Sequence, residues 1–134
     1  MVAALHERVK ELTCLYGITQ LAASPEVTLE GVIAGVVELL PPAWQYPEIT
    51  RARVVLDGRV FESPTGGSVG ESQRADVLVA GALRGFVEVS YVEARPPLDE
   101  GPFLAEERHL IDAVARHVAL IVERREAAID RSRL

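Results

Sequence analysis

The sequence has little of several residue types that usually indicate a chemical function. It contains one cysteine, Cys14, and one lysine, Lys10, among 134 residues. A single cysteine excludes an internal disulfide and a cysteine-rich metal site. A single lysine near the start excludes a catalytic lysine elsewhere in the sequence. Aromatic residues make up only 5% of the chain, so aliphatic side chains must form most of the core.

Long apolar runs are also missing. No stretch approaches the roughly 20 apolar residues that a membrane span requires. The first ten residues carry Glu7, Arg8 and Lys10 instead of the apolar run of a signal peptide. We therefore expect no membrane partner and a cytoplasmic location.

The charge balance argues against nucleic acid as a partner. The net charge is −6, whereas binding to phosphates needs a basic face. One local exception is a group of arginines near the end of the chain. Positive charges suit the C-terminal end of a helix, and the alternative is a contact with an acidic partner. These residues are Arg124, Arg125, Arg131 and Arg133.

The length and composition predict one globular domain over residues 1–134. Apolar residues make up 49% and charged residues 25% of the chain, as in ordinary folded domains. The first predicted element is an N-terminal signalling helix over residues 3–23. On it Leu5, Val9, Leu12 and Tyr16 recur at steps of four, three and four, which is the heptad spacing of a coiled coil. Gly17 interrupts this helix at a cost of about 1 kcal/mol unless close packing requires it.

A second helix is predicted over residues 28–40, with Thr28 as its N-cap and Pro41-Pro42 after its end. The hydrophobic period then changes to two, which predicts an antiparallel sheet over residues 51–93. Asp57-Gly58 between two apolar runs is a strong hairpin signal. We expect about five to six strands, packed against N- and C-terminal helices in an α+β fold.

A long C-terminal helix is predicted over residues 103–128. A core stripe recurs along it, and a second series keeps the four-three rhythm of a helical seam. This series is Leu110, Val114, His117 and Ile121. Glu106-Glu107-Arg108 has the pattern of a solvent-exposed helix face. The helix is longer than a small sheet needs, so we expect it to project from the domain or to pair with another helix.

The sequence contains no pattern typical of a catalytic or metal site. His6, His109 and His117 lack the spacing of metal ligands, and Cys14 lies on an apolar helical stripe where a thiol behaves as a small hydrophobic group. We predict no catalytic residue and no metal, and the sequence identifies no cofactor.

Trp44 is predicted either to close one end of the core or to form a wall of a small ligand pocket. The other aromatic candidates for that pocket are Tyr46, Phe61 and Tyr91.

The order of elements resembles a GAF domain, which has an N-terminal helix pair, an antiparallel sheet and a long C-terminal helix beside the first. Two segments resemble GAF-like sensory domains found beside bacterial and archaeal histidine kinases. They are Leu40-Pro41-Pro42-Ala43-Trp44-Gln45-Tyr46-Pro47-Glu48, and Asp99-Glu100-Gly101-Pro102-Phe103-Leu104 followed by Glu106-Glu107-Arg108. The resemblance covers most of the chain, from Val9 to Glu126.

The resemblance implies a choice among functions. GAF domains bind small molecules such as cyclic nucleotides or haem, carry bilins, or act as dimerising relays. Residues 63–74 leave room for a small pocket at best, and the cysteines of the bilin-carrying and sulfoxide-reductase branches are absent here.

From these features we expect a non-catalytic regulatory module. It is expected to form a homodimer through its terminal helices and to relay conformational change to an output such as a histidine kinase domain in a longer chain. The alternative is a small-ligand sensor with a compact pocket between the sheet and the Trp44 segment. A small enzyme is the third possibility.

Overall fold

The computed structural model describes the backbone of residues 2–132 and the side chains of residues 5–131. Three helices and four strands follow one another, and two short 3₁₀ turns (Pro41–Ala43 and Pro47–Ile49) join the second helix to the first strand. The elements are α1 (Val2–Ala23), α2 (Leu29–Leu39), β1 (Thr50–Leu56), β2 (Arg59–Glu62), β3 (Ser72–Val79), β4 (Ala82–Tyr91) and α3 (Ala105–Ser132).

The α+β class is confirmed, but the sheet has four strands instead of the predicted five to six. Its order is β2-β1-β4-β3, and all neighbours are antiparallel. After β2, side-chain hydroxyls form hydrogen bonds with the backbone of β1. The Ala52 N–H donates to Ser63 Oγ at 2.9 Å, and Thr65 Oγ1 donates to the Thr50 carbonyl at 2.8 Å. Ser63 also donates its N–H to the Ala52 carbonyl at 2.9 Å, and Pro64 then has no N–H to continue the backbone ladder.

One face of the sheet is apolar and covered by the helices. Buried and less buried residues alternate along β1 and β3, as expected when only one face of a sheet packs on a core. Cross-strand pairs such as Ala52 with Val89 and Val54 with Val87 lie on the buried face. The register therefore directs the opposite face, which carries Arg53 and Glu88, away from the helices.

The β3–β4 connection is a two-residue turn. Ala80 and Gly81 have φ angles of 51° and 82°, the pattern of a type I′ turn. Asp57 and Gly58 form the predicted β1–β2 turn with nearly the same angles, 50° and 82°. The second turn was harder to predict because alanine rarely adopts positive φ.

Close packing explains the glycine within α1. A Cβ atom placed on Gly17 would lie 2.9 Å from the side chain of Leu39 on α2. A Cβ on Gly35 of α2 would lie 2.6 Å from the Leu21 side chain. The two helices approach each other at these two points, so the helix propensity lost at Gly17 is offset by contact with α2.

Helices α1 and α3 run side by side in the same direction. The charges of Glu7 and Lys10, near the start of α1, act on Glu107 near the start of α3. Near the other end, Arg125 of α3 donates to the carbonyl of Ala22. Because α1 ends at Ala23 and α3 continues to Ser132, α3 extends beyond α1 at its C-terminal end.

Arg125 fastens the end of α1 to α3. Its guanidinium donates to the carbonyls of Val27 at 2.6 Å, Ser24 at 3.3 Å and Ala22 at 3.4 Å. The last carbonyls of a helix lack partners within the helix, so this arginine supplies the donors that they need. The sequence places Arg125 among charges on a solvated helix end, whereas the structure shows it half-buried between two segments. Arg133 lies outside the described residues.

Replacing Gly85 by alanine is expected to destabilise the protein severely. A Cβ atom at this position would lie 1.8 Å from the Val55 carbonyl oxygen on β1, so two central strands must move apart. We expect a loss of about 3 kcal/mol or more in the free energy of unfolding, measured by urea denaturation. Gly66→Ala is the matched control, because no atom lies within 4 Å of its added Cβ. Equal effects of the two substitutions would contradict the packing of β1 against β4.

Arg125→Gln is expected to lower the free energy of unfolding by about 1–2 kcal/mol, because hydrogen bonds to a charged donor are lost. Arg116→Gln, at an exposed position on the same helix, should change it by less than about 0.5 kcal/mol. Hydrogen exchange should localise the loss to the segment that joins α1 to α2. Unchanged protection of that segment in Arg125→Gln would show that the contact does not hold it.

Candidate helical interface

A stripe of large apolar side chains lies exposed along α1. Its members are 54–67% exposed although α1 also packs into the core through its opposite face. We call these residues the α1 stripe, and they are the four with heptad spacing: Leu5, Val9, Leu12 and Tyr16. Contiguous apolar surface of this kind is typical of an interaction site.

A groove between α1 and α3 continues the surface of the α1 stripe. It has a volume of about 360 Å³ and takes four lining residues from each helix. Thr19 and Ala23 on its α1 wall extend the direction of the α1 stripe by further helical turns. On the α3 wall, Leu120 is 42% exposed. The α1 stripe and the groove together form an apolar surface that involves both terminal helices.

Most of the side chains in the predicted α3 seam are buried inside the domain. Leu110, Val114 and Ile121 are buried in the core of this chain, although Ile121 also reaches the wall of the groove. His117 is half-buried in the groove wall. Helix α3 covers β3 and β4 with its buried face, and its Leu120 and Arg124 lie exposed at the groove.

The four aromatic residues predicted to form a ligand pocket lie in two separate regions of the structure. Trp44 and Tyr91 are fully buried within the core. The Tyr91 ring lies 5.5 Å from that of Tyr46 and 4.7 Å from that of Phe103, centroid to centroid. Phe61 lies apart from them beside α2, at a small cavity of about 80 Å³. The Trp44 segment is thus packed as part of the core.

A chain of polar contacts passes through this end of the core. Trp44 Nε1 donates to Gln73 Oε1 at 2.8 Å, and Gln73 Nε2 donates to Glu100 Oε2 at 3.3 Å. Arg108 binds both oxygens of Glu100, at 2.8 and 2.9 Å, and the guanidinium holds the pKa of that carboxyl below its usual range. The contacts join the Trp44 segment, β3 and the start of α3, so these parts are positioned together.

Glu107 differs most from its sequence-based interpretation. It was predicted on a solvent face, but it is 1% exposed. Its carboxylate accepts the N–H of Leu104 and the N–H of Gln45, both at 2.8 Å. Burial raises the pKa of Glu107 above its usual range. A signal was present, since a glutamate in the first turn of a helix often binds back to the backbone before that helix.

The described residues offer little for chemistry. Burial raises the pKa of the Cys14 thiol to about 12, so it stays protonated and unreactive. Among the residues described, no three His, Cys, Asp or Glu side chains are grouped as metal ligands. Among the same residues, the helices are too short or too polar to cross a membrane.

The open face of the sheet carries paired charges. Glu88 binds Arg53 at 3.1 Å and Arg74 at 2.9 Å, and Arg51 binds Glu62. The Arg74 guanidinium also lies over the Phe86 ring, 3.7 Å from its centroid. A cavity of about 300 Å³ lies beside Arg51, Arg53 and Val69. Its volume is at the lower end of the range for small-molecule sites. Because carboxylates already bind these arginines, the face has little unpaired charge to attract a ligand.

No family model matches the chain, and neither a curated protein nor a solved structure matches it. The surface formed by the α1 stripe and the groove is therefore the candidate site on structural grounds.

Proposed function

We propose that this protein is a non-catalytic GAF-like regulatory module that forms a homodimer through its terminal helices. The α1 stripe carries the proposal, because its four large side chains have heptad spacing and lie more than half exposed. Heptad side chains are stabilised when they insert between those of a second helix. A second copy of the chain supplies a stripe of the same spacing, and the adjoining groove supplies room for its side chains.

The expected dimer is of modest strength. Burial of eight half-exposed side chains, four from each copy, would stabilise the dimer by on the order of 10 kcal/mol. Association itself costs about 4–15 kcal/mol. The groove must therefore contribute for the dimer to form at micromolar concentration, and a measurement should extend to high micromolar protein.

The side-by-side packing of the terminal helices supports a regulatory role. Helices α1 and α3 run in parallel, and α3 covers the sheet through buried side chains while its last turns extend beyond α1. A change in how two copies pair along α1 would therefore reach the end of α3. The resemblance to GAF-like domains beside histidine kinases supports an output domain of that kind, in a cytoplasmic signalling protein.

Val9→Glu is expected to dissociate the dimer. The substitution places a carboxylate from each copy in the interface, and each burial costs more than about 1.4 kcal/mol. The dissociation constant measured by sedimentation equilibrium should therefore rise by about 100-fold or more.

Val60→Glu is the matched control, because Val60 is 53% exposed and Val9 is 54% exposed, but Val60 lies on the edge strand β2. It should leave the dissociation constant within about threefold of the unsubstituted protein. A monomer at high micromolar concentration, or a dimer disrupted only by Val60→Glu, would overturn the proposal.

A further inference from the structure

The carboxylate of Glu107 lies where several elements meet. Its two hydrogen bonds join the start of α3 to the Gln45 backbone. From α1, Lys10 Nζ lies 3.5 Å from the Trp44 carbonyl and 3.6 Å from Glu7, and both charges act on Glu107. We call this group of contacts the Glu107 junction.

Gln45 Oε1, beside the Glu107 junction, lacks a hydrogen-bond partner among the described residues, and this amide oxygen can only accept a hydrogen bond. Gln45 also donates its N–H to Glu107, and the charge of Glu107 acts on Tyr91. Buried polar groups normally have a partner. An ionised carboxylate only accepts hydrogen bonds, whereas a protonated one also donates.

We propose that Glu107 is a proton-operated switch that sets how the N-terminal half of α1 is held against α3. In the ionised state the carboxylate accepts the Leu104 and Gln45 N–H groups and attracts Lys10. In the protonated state its O–H donates to Gln45 Oε1, and the attraction for Lys10 is lost. Each state therefore holds the Trp44 segment and α1 differently.

The titratable groups around Glu107 set the direction of the change. Burial disfavours its charge and Glu7 repels it, whereas the two backbone donors and Lys10 favour it. Burial is the largest effect, so the native pKa lies above the usual 4.5. Tyr91 and Tyr46 also belong to this region, and burial raises the pKa of Tyr91, so it stays neutral while Glu107 titrates.

The sign of the stability effect follows from linkage. The native state binds the Glu107 proton more tightly than the unfolded state does. The contribution of Glu107 to the free energy of unfolding is therefore lowest above its native pKa and rises as the pH falls toward 4.5. This is opposite to the effect of Glu100, whose lowered pKa contributes stability that is lost in acid.

The effect on dimerisation rests on the proposed function. The α1 stripe lies on the helix whose N-terminal half Lys10 fastens to the Trp44 segment. Protonation should therefore change the dimer dissociation constant, and it should do so at the midpoint at which Glu107 itself titrates.

Trp44 provides a direct test, because it is the only tryptophan in the chain and its neighbour Gln45 binds Glu107. We expect its fluorescence in the full chain to titrate with a midpoint above that of an ordinary glutamate. Glu107→Gln should abolish this transition. Glu106→Gln should leave it unchanged, because Glu106 is the exposed neighbour on the same helix turn.

Two further variants keep the carboxyl in place and remain informative if Glu107→Gln does not fold. Glu7→Gln should lower the midpoint by removing a repelling charge, and Lys10→Met should raise it by removing an attracting one. The absence of a transition in the unsubstituted protein, its persistence in Glu107→Gln, or an unchanged midpoint in both α1 variants would overturn the switch.

Sedimentation equilibrium on both sides of the midpoint separates this proposal from the proposed function. A monomer at every pH that retains the Trp44 transition would refute the dimer and leave the switch standing. A dimer whose dissociation constant does not change across the midpoint would refute the coupling between them.

Discussion

The constraint on which the structure depends is the single apolar face of the sheet. An antiparallel sheet of four strands cannot leave that face in water, so α3 covers β3 and β4 while α2 covers β1 and β2. This packing buries the side chains of Leu110, Val114 and Ile121. Helix α1 packs beside α2 and α3 through one face, which includes Cys14 and Ile18, and no described residue covers its second apolar stripe. The candidate interface is thus what remains after the sheet has been covered.

Local patterns predicted much of this arrangement. Asp57-Gly58 indicates a hairpin because the type I′ turn requires positive φ, and both residues have it. Thr28 caps α2 by accepting the Gly31 N–H at 3.1 Å. The spacing of Leu5, Val9, Leu12 and Tyr16 predicted an apolar stripe on α1, and these side chains are exposed together. Each of these features depends on residues close in sequence.

What could not be predicted depends on contacts between distant segments. The periodicity of α3 shows that its apolar residues share faces, but not which face the sheet takes, so Val114 could be placed equally well in a seam or in the core. Glu107 has the charge of a surface residue, and its burial depends on the N–H of Gln45, 62 positions earlier. Beyond β2 the hydroxyls of Ser63 and Thr65 bind the backbone of β1, and hydropathy does not predict such bonds.

The two contacts that hold the ends of α1 differ in one physical respect. At the C-terminal end, Arg125 donates to backbone carbonyls, which are not titratable groups. At the N-terminal half, Lys10 and the Trp44 segment meet Glu107, whose carboxyl can lose its charge. On the proposed mechanism, α1 is therefore fixed at one end and adjustable at the other. A proton taken up at Glu107 would move Leu5 and Val9 more than Tyr16, so the pairing of two α1 stripes would change first at their N-terminal ends.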